Sequence, residues 1–385
     1  MLAAEEVLAR LVAFDSTSSS SNQPIADFVA ETLEGAGLRV QQLPAGEGKV
    51  NVWAEAGPPP AGDGAGLVLS GHLDVVPAGE AGWESDPFTL TDRGDCWVGR
   101  GSCDMKGFLA LAIERCARAA GEDLAAPLCL LATTDEEIGS LGAQRFAAAP
   151  PGPLPRAVVI GEPTGLAAVR LHKGHLRLRL ELTGKAGHSG YPERGVNAIE
   201  PAGTALVALA ALRREVAAER TPASRHFPDV PYAALSIGTI AGGTAVNVAP
   251  DRCALELGVR LLPGMGTEGI VDRVHSTLAT ALRGAALTSW SLEVVNVSPP
   301  LATPAKAPLH RALCELLGQR RSVAVNYSSD GGVLGPLGLD CVLWGPGSIE
   351  VAHRPNEYLP KAEFVRAGEL LEALIDRFCG TRAAA

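Results

Sequence analysis

The chain has 385 residues, of which 46% are hydrophobic and 20% charged, a composition that is ordinary for a folded globular protein and argues against disorder. Because this length exceeds what one hydrophobic core usually fills, two domains are expected. The formal net charge of −10 and the lack of any basic stripe argue against a nucleic-acid partner.

Two further observations bear on the compartment. No apolar run approaches the roughly 20 residues that span a bilayer, and the N-terminal segment lacks the cationic region of a signal peptide. The eight cysteines include no Cys-x-x-Cys pair, so neither a zinc ribbon nor a disulfide framework is indicated. We therefore expect a soluble protein of the reducing cytoplasm that has no membrane partner.

In chain order, the first part of the sequence alternates between predicted helices and strands. Apolar residues at helical spacing predict helices over residues 2–14, 24–37 and 108–119. Continuous apolar runs predict strands buried on both faces at residues 67–70, 128–132 and 157–160. Each of these runs leads into a carboxylate or an imidazole. In a βαβ arrangement the three strand ends lie at one edge of the sheet.

The pattern changes at Gly174. Residues 176–182 alternate strictly between leucine and charged residues, which is typical of a half-exposed antiparallel strand. A β-α-β-β-α-β order follows, and it suggests a ferredoxin-like unit inserted into the α/β domain. The chain then returns near residues 299–304, and the remaining predictions are a helix at 310–317, a buried strand at 341–344 and a closing helix at 361–378.

Six side chains at the predicted strand ends and in the nearby loops are candidates for chemistry. Divalent metals bind carboxylate oxygens and imidazole nitrogens, and a two-metal site shares one carboxylate between ions roughly 3.5–4 Å apart. An isolated histidine is more often structural, so the prediction of a metal site rests on the convergence of independent strand ends. The candidates are His72, Asp104, Glu136, Glu137, Glu162 and His353.

The adjacent carboxylates Glu136 and Glu137 have two interpretations. Acids are favoured at a solvated helix N-terminus, where they need no cation. Alternatively, one of the two binds metal and the other holds and deprotonates the attacking water, since neighbouring carboxylates repel unless a cation or a proton intervenes. On the second interpretation, which we favour, Asp74 supports His72 and fixes its tautomer and orientation.

Four sequence blocks carry most of these candidates: Ser70-Gly-His-Leu-Asp-Val-Val-Pro77, Gly101-x-x-Asp-Met-Lys-Gly107, Asp135-Glu-Glu-Ile-Gly139 and Gly161-Glu-Pro163. They resemble the signature blocks of the M20 family of metallopeptidases and deacylases. Within this family, three longer stretches are most similar to the bacterial acetylornithine deacetylases, and the similarity covers essentially the whole chain. These stretches are His172 to Glu200, Arg260 to Met265 and Gly345 to Tyr358.

The resemblance implies an α/β fold with two domains. The first would be a zinc-peptidase-like catalytic domain with a central, mostly parallel sheet, formed by residues 1–173 and 294–385. The second would be an inserted ferredoxin-like α+β domain, residues 174–293, which serves for dimerisation and as a lid.

The resemblance also implies roles for the candidate residues. Glu136 would be the general base, Asp74 would support His72, and the peptide bond after Asp104 would be cis. Five residues would bind two zinc ions, for which cobalt can substitute: His72 and Glu162 at one ion, Glu137 and His353 at the other, and Asp104 between them.

Three residues of the inserted segment match positions that act on the substrate in related enzymes. His188 would reach the active site of the partner subunit and donate to the developing oxyanion. Asn247 would contact the substrate, and Arg260 would form a bidentate pair with the substrate's α-carboxylate. The resemblance therefore implies a homodimer, formed through the inserted domain, that acts on a small N-acyl amino acid.

Two departures from the family pattern bear on the substrate and on the metal. The segment from Asn326 to Gly331 reads Asn-Tyr-Ser-Ser-Asp-Gly. Its Ser-Asp-Gly part is more similar to succinyl-diaminopimelate desuccinylases than to acetylornithine deacetylases. Asp330 and Glu350 are the acids expected to pair with a cationic ornithine side chain. Cys103 stands beside Asp104 where a small residue is usual, and we expect a packed neutral thiol rather than a thiolate ligand.

The resemblance favours one activity and leaves alternatives open. The favoured activity is zinc-dependent hydrolysis of N2-acetyl-L-ornithine to L-ornithine and acetate, a step of arginine biosynthesis. The same chemistry on another acyl group, such as desuccinylation of succinyl-diaminopimelate or deacetylation of acetylcitrulline, is the first alternative. A non-catalytic protein that binds small molecules on the same fold is the second.

Overall fold

The computed structural model describes residues 2–62 and 64–380. Their α-helices are α1 (Ala4–Val12), α2 (Gln23–Gly35), α3 (Gly107–Ala119), α4 (Leu141–Ala148), α5 (Ile199–Ala218), α6 (Thr267–Ala281), α7 (Pro308–Leu317), α8 (Gly331–Leu334) and α9 (Lys361–Phe378).

The strands of the described residues follow in chain order. They are β1 (Arg39–Gly46), β2 (Lys49–Ala56), β3 (Leu67–His72), β4 (Thr91–Asp92), β5 (Cys96–Val98), β6 (Leu128–Thr133), β7 (Ala157–Ile160), β8 (Val169–His172), β9 (Gly174–Thr183), β10 (Gly187–His188), β11 (Ala234–Gly242), β12 (Val248–Ala249), β13 (Arg252–Leu261), β14 (Ser289–Ser298), β15 (Leu301–Ala302), β16 (Val323–Val325), β17 (Asp340–Leu343) and β18 (Tyr358–Pro360).

The chain divides into two compact units. The first contains the described residues of 1–171, 302–323 and 329–385, and the second contains residues 172–301 and 324–328. The predicted border of the inserted segment at residue 294 falls inside β14, a strand of the four-stranded sheet of the second unit. The described helices include none that is both long enough and apolar enough to cross a bilayer.

A mixed sheet forms the centre of the first unit. Its strand order is β1-β2-β6-β3-β7-β17-β8-β15, with β16 paired to β8. The strands β6, β3, β7 and β17 are parallel, and each is buried along its whole length because its apolar side chains are covered on both faces. The predicted α/β fold is confirmed, but the central sheet expected to be mostly parallel is mixed: antiparallel pairs β1–β2, β2–β6 and β17–β8 flank its four parallel strands.

The register of the parallel strands brings their carboxyl ends together. His72, the last residue of β3, pairs with Thr133, the last residue of β6. On the other side of β3, Ser70 pairs with Ile160, the last residue of β7, so Glu162 follows at the level of His72. The residues that come directly after three strands therefore lie at one edge of the sheet.

Helix α3 lies close to these strand ends because two glycines leave room for it. A Cβ atom on Gly71 would lie 2.7 Å from Cε of Met105, and one on Gly161 would lie 1.9 Å from Cδ1 of Phe108. Phe108 is fully buried in the core beneath the sheet. The helix start, and with it the turn that contains Asp104, is thus held against the ends of β3 and β7.

The second unit is a four-stranded antiparallel sheet with two helices. Its elements follow the chain as β9-α5-β11-β13-α6-β14, and its strand order is β11-β13-β9-β14. Both the element order and the strand order are those of a ferredoxin-like unit. Alternate residues of β9 are buried, as the leucine alternation predicts, and they form a separate core with α5 and α6.

Candidate metal centre and active site

The five predicted ligands lie together in the first unit. His72 ends β3, while Glu137 and Glu162 follow β6 and β7. Asp104 lies in the turn before α3, and His353 lies in the loop after β17. Ligand atoms lie within 4.8 Å of one another in two groups that share Asp104: His72, Asp104 and Glu162 in one, and Asp104, Glu137 and His353 in the other.

Asp104 occupies the middle of this cluster. Its Oδ1 atom lies 3.1 Å from Nε2 of His72, and its Oδ2 atom lies 3.4 Å from Nε2 of His353. The same nitrogen of His353 lies 3.0 Å from Oε1 of Glu137. The two oxygens of one carboxylate therefore face two different imidazoles, which is the arrangement expected of a residue that bridges two cations.

The turn that carries Asp104 is irregular. Asp104 and Met105 have non-helical backbone angles within the stretch Ser102–Lys106, and the peptide bond between them is cis, as the resemblance implies. A carboxylate oxygen of Glu357 accepts the main-chain N–H groups of Cys103 and Asp104 at 2.9 and 3.0 Å. The main chain at the bridging position is therefore held by a buried side chain from a distant loop.

The orientation of His72 is set by a main-chain group. Its Nδ1 atom lies 2.8 Å from the carbonyl oxygen of Asp74, and since a carbonyl only accepts, Nδ1 carries the proton. Nε2 of the neutral ring then directs a lone pair at the carboxylate of Asp104. Lone pairs facing each other at 3.1 Å are favourable only with a proton or a cation on that side, so this geometry fits a metal ligand.

The carboxylate of Asp74 hydrogen-bonds to the turn of the two glutamates rather than to the imidazole of His72. It lies 3.7 Å from Nδ1 of His72, beyond hydrogen-bond distance. Instead, it accepts the main-chain N–H groups of Glu136 and Glu137 at 3.1 and 3.2 Å, and the hydroxyl of Ser18 at 2.8 Å. Asp74 thus holds the turn of the two glutamates, while its carbonyl oxygen orients the histidine.

The turn after β6 separates the two glutamates. It begins at Asp135, whose φ of 56° is left-handed and whose carboxylate pairs with Lys49 at 2.6 Å. Glu137 then contacts His353, whereas the carboxyl group of Glu136 makes no hydrogen bond to any residue of the described part of the chain. One of the two adjacent acids is therefore fixed in the cluster, and the other is available to a reactant.

The acids of the cluster are buried together, and this raises their affinity for protons. The pKa of Glu136 is raised well above its usual value, first by burial and then by the negative charge of Glu162. Burial and the charge of Asp104 raise the pKa of Glu162 in the same way. A carboxyl group with a raised pKa is suited to accept a proton and to release it near neutral pH.

The same excess of negative charge raises the pKa values of the two imidazoles. Burial by itself would lower the pKa of His72, but the hydrogen bond and charge of Asp104 outweigh it, and the pKa is raised well above its usual value. Hydrogen bonds to Asp104 and Glu137 raise the pKa of His353 to about 10. A cluster that attracts protons so strongly also attracts divalent cations, which would relieve the same repulsion.

The donor set fits two divalent cations. Two imidazole nitrogens and three carboxylates are ligands that zinc and related ions bind. Cys103 directly precedes Asp104 in the sequence. Its thiol donates to the carbonyl oxygen of Ser348 at 3.4 Å, and burial raises the pKa of this thiol far above the usual value. It is a packed neutral thiol, as expected, and supplies no thiolate.

The two acids predicted to contact a cationic substrate differ in their surroundings. Asp330 is fully buried at the start of α8, where its Oδ2 atom accepts the hydroxyl of Thr133 at 2.6 Å. Its Oδ1 atom accepts no hydrogen bond from the part of the chain that the structure describes, and burial raises the pKa of this carboxyl to about 6. Glu350, in the loop after β17, is exposed.

The three predicted substrate residues of the second unit are described within that unit. His188 and Asn247 are neighbours, because β10 pairs with β12 and the N–H of Ser189 donates to the carbonyl oxygen of Asn247 at 2.9 Å. Nδ1 of His188 accepts the N–H of Gly190 at 3.0 Å, so the neutral ring carries its proton on Nε2. The guanidinium of Arg260 donates to the hydroxyl of Ser328 at 3.3 Å.

Sequence reasoning assigned no role to two buried residues beside the site, Glu357 and Arg100. Their side chains form an ion pair of 2.9 Å, with each side chain only 1% exposed. Glu357 lies in one of the blocks that carry the resemblance, but a glutamate in a polar loop has no local pattern that distinguishes it from a solvated one.

Known proteins resemble this chain over most of its length. A model of the peptidase family M20/M25/M40 matches residues 68–377. The acetylornithine deacetylase of Edwardsiella ictaluri (strain 93-146) is 39% identical over 373 residues, which cover 95% of this chain and 93% of the relative. The acetylornithine deacetylase of Myxococcus xanthus is 35% identical over 384 residues, or 97% of each chain.

Solved structures share the fold at low sequence identity. The M20 family metallo-carboxypeptidase Sso-CP2 from Sulfolobus solfataricus matches with a TM-score of 0.79 at 19% identity, covering 98% of this chain and 99% of that one. The Bacillus subtilis YXEP protein, described as a dinuclear metal binding peptidase of the M20 family, matches with a TM-score of 0.67 at 16% identity over 98% of each chain. The predicted family is confirmed: the chain belongs to the peptidase family M20/M25/M40.

Proposed function

We propose that this member of the family, a metal-dependent amidohydrolase, hydrolyses N2-acetyl-L-ornithine to L-ornithine and acetate. The observation that carries the chemistry is Glu136, whose carboxyl group has a raised pKa and no hydrogen bond within the described residues, beside a cluster of five metal-binding side chains. The substrate is proposed because the relatives from Edwardsiella ictaluri and Myxococcus xanthus bear that name and align over nearly the whole chain.

Two zinc ions, for which cobalt can substitute, are the proposed cofactors. Asp104 would be shared between them, with His72 and Glu162 on one side and Glu137 and His353 on the other. When bound, such ions polarise an amide carbonyl and lower the pKa of water. The proposal is supported by the donor set and by the lone pair that His72 directs at Asp104.

Glu136 is the proposed general base. Its carboxylate would take the proton from the attacking water and then deliver it to the nitrogen of the leaving amine. A carboxyl group with a normal pKa near 4 would hold such a proton poorly. Burial beside Glu162 raises the pKa of Glu136, so Glu136 would hold the proton more firmly. Asp74 would contribute by holding the main chain at Glu136 and Glu137 in place.

Residues of the second unit are proposed to bind the substrate and the developing oxyanion. His188 would donate from Nε2, the nitrogen that carries the proton when Nδ1 accepts from Gly190. Arg260 would pair with the α-carboxylate of the substrate, and its contact with Ser328 orients the guanidinium. Asn247, whose carbonyl oxygen accepts the N–H of Ser189 next to His188, would contact the substrate as well.

Asp330 and Glu350 are the acids proposed to favour a cationic side chain. Glu350 is exposed and would pair with the ammonium group directly. Asp330 is buried and adds negative charge near Glu136 and Glu162, so its contribution would be electrostatic. Glu350→Gln should therefore raise KM for acetylornithine more than KM for neutral N-acetyl amino acids, whereas Asp330→Asn should change the pH dependence of kcat.

A substrate panel on purified protein tests the proposed reaction. N2-acetylornithine, acetylcitrulline and succinyl-diaminopimelate would be compared by kcat/KM at equal zinc loading. We expect acetylornithine to be preferred. A preference for succinyl-diaminopimelate would instead agree with the Ser-Asp-Gly sequence at residues 329–331 and would replace the proposed substrate.

Elemental analysis tests the cofactors and the non-catalytic alternative together. We expect two zinc or cobalt ions per chain after reconstitution, with loss of hydrolysis on chelation. Protein without bound metal that hydrolyses no acyl amino acid after reconstitution would support the non-catalytic small-molecule binder.

A homodimer formed through the second unit is also proposed. Strand β11 is at an edge of its sheet, with Ile240 50% exposed, and Val207 on the adjoining helix α5 is 73% exposed. An edge strand with exposed apolar residues is suited to pair with a second copy of itself. Light scattering should give the mass of a dimer, and Ile240→Lys together with Val207→Glu should give a monomer.

The cytoplasm is the proposed location, and ornithine supplied to arginine biosynthesis is the proposed biological role. All eight cysteines are free thiols, which fits a reducing compartment. Restoration of growth without arginine in a strain that lacks the corresponding deacetylase would support this role.

A further inference from the structure

We propose that Glu357 is a positioning residue for the metal centre. Glu357 fixes the place of Asp104 by binding the main chain of Asp104, and Arg100 balances the charge of Glu357. This inference rests on the proposed role of Asp104 as a ligand shared by two cations. Neither Glu357 nor Arg100 is itself placed among the ligands.

The contacts of Glu357 are directed at the bridging position. Its Oε1 atom accepts two consecutive main-chain N–H groups, from Cys103 at 2.9 Å and from Asp104 at 3.0 Å. One oxygen that holds two adjacent amides fixes both the position and the rotation of this part of the turn. The side chain of Asp104 is thereby directed between His72 and His353, with which it makes its contacts.

The loop that carries Glu357 also carries His353. The two residues lie four positions apart, and His353 and Asn356 both have left-handed backbone angles, with φ of 61° and 59°. The side chain of Asn356 accepts the N–H of Glu84 and donates to the carbonyl oxygen of Gly82, each at 2.9 Å. One fixed loop therefore sets the distance between His353 and the turn of Asp104.

Arg100 makes a carboxylate possible at this buried place. Its Nη1 atom donates to Oε2 of Glu357 at 2.9 Å, and its Nη2 atom donates to the carbonyl oxygen of Pro77 at 3.1 Å and also pairs with Glu80. The guanidinium carbon lies 5.1 Å from the ring centroid of Trp83. Buried charges are costly unless they are paired and hydrogen-bonded, and here both partners are.

The charge balance matters because the neighbouring cluster is acidic. An unpaired anion at Glu357 would add to the repulsion among the carboxylates of Asp104, Glu137 and Glu162. With Arg100 beside it, Glu357 supplies two strong acceptor contacts while its own negative charge is paired. Glutamine at this position would keep one acceptor oxygen but would turn an NH2 group toward the guanidinium donors.

A purely structural role is the alternative, and cobalt binding separates the two. Metal-free wild type and Glu357→Gln would be titrated with Co2+ in the absence of substrate, and the visible absorption of the bound ion would be followed. We expect the affinity of Glu357→Gln for at least one ion to fall about 10- to 100-fold, with an altered absorption spectrum. Thermal unfolding of both metal-free proteins measures the structural effect separately.

Asp340→Asn is the matched control. It breaks another ion pair of a buried acid, with Arg156 at 2.9 Å, at the opposite end of β17 from the loop of His353. We expect this control to lower the unfolding temperature and to leave Co2+ affinity and absorption unchanged. Arg100→Lys, which keeps a cation beside Glu357, should lose less affinity than Arg100→Met, and this pair serves if Glu357→Gln does not fold.

The readout is independent of hydrolysis, so the inference and the proposed function fail in different ways. Glu357→Gln that binds two Co2+ ions with the affinity and spectrum of the wild type would overturn the positioning role, whatever its unfolding temperature. Equal affinities for Arg100→Lys and Arg100→Met, both at the wild-type level, would overturn the dependence on Arg100. Absent hydrolysis in wild type that binds Co2+ would contradict the proposed reaction alone.

Discussion

Glu137 and His353 meet at 3.0 Å between Oε1 and Nε2, although one follows a strand in the first half of the chain and the other follows a strand near its end. Their contact joins the loop after β6 to the loop after β17. The same nitrogen of His353 lies 3.4 Å from Oδ2 of Asp104. His353 therefore contacts both the loop after β6 and the turn before α3. Changes at any of these elements should therefore alter the whole centre.

Glu136→Gln should abolish most hydrolysis and leave metal binding intact. The amide cannot accept the proton of the attacking water, and loss of a general base typically costs 10²- to 10⁴-fold in rate. We expect kcat to fall by about that factor with two metal ions still bound. Glu137→Gln is the comparison, because it should lose metal as well as activity. Glu136→Gln with more than about 1% of wild-type kcat would contradict the assignment.

Removal of metal should destabilise the protein. Without cations the carboxylates of Asp104, Glu137 and Glu162 repel one another, and a ligand present at 1,000 times its dissociation constant adds about 4 kcal/mol to the free energy of unfolding. Calorimetry should show a lower Tm after chelation and recovery after zinc is restored. An unchanged Tm would mean that the cluster binds no cation in the folded protein.

His188→Ala and Arg260→Ala should affect different kinetic constants. A donor to the oxyanion acts mainly in the transition state, so loss of His188 should lower kcat by about 10²- to 10³-fold with little change in KM. Arg260 would bind the carboxylate in substrate and transition state alike, so its loss should mainly raise KM. Steady-state kinetics at equal zinc loading checks this, and the opposite pattern would exchange the two roles.

His172 should make the second unit less stable in acid. Burial, together with the charge of Arg260, lowers the pKa of this imidazole to about 4, against about 6.5 in the unfolded chain. Between these values the unfolded state binds the extra proton. The free energy of unfolding therefore falls as the pH drops from about 6.5 to about 4, by about 3 kcal/mol in total.

Denaturation at several pH values tests this effect with two variants. His172→Asn can keep the donor to the carbonyl oxygen of Lys173, 2.9 Å from Nδ1 in the wild type, but it cannot be protonated. Its stability should fall less than that of the wild type over this pH range. His275→Asn, at an exposed position, should parallel the wild type. Parallel curves for His172→Asn would refute the prediction.

Gly161→Ala should disrupt the packing under the site. Its Cβ would lie 1.9 Å from a ring carbon of Phe108, and such overpacking typically costs 1–3 kcal/mol or more. Displacement of the adjacent Glu162 should also weaken metal binding. Gly203→Ala, in α5 with no atom near its new Cβ, should be neutral or stabilising by comparison.

A double variant identifies the cause of that loss. If the clash with Phe108 is responsible, Gly161→Ala combined with Phe108→Ala should cost less than the sum of the two single changes, because the ring that clashes is gone. Chemical denaturation measures all three variants. Strictly additive costs would show that the glycine is needed for another reason.

Much of the fold could be predicted because burial leaves a strong local pattern. The apolar runs at β3, β6 and β7 indicate a parallel sheet, and the leucine alternation of β9 indicates an antiparallel one. The short helix α4 was not predicted, since only three of its eight residues, Gly142, Ala143 and Phe146, are buried. A pattern so weak does not distinguish a helix from a loop.

The sequence by itself determined the family, through its signature blocks, and the two kinds of sheet, and it predicted the candidate metal ligands, because apolar periodicity and residue chemistry are local properties. Only the tertiary structure decided that the main-chain carbonyl of Asp74 orients His72, that Asp330 is buried, and that Glu357 holds the turn of Asp104. These contacts join segments far apart in the chain. Their geometry depends on how the loops are packed, and no local pattern in the sequence encodes it.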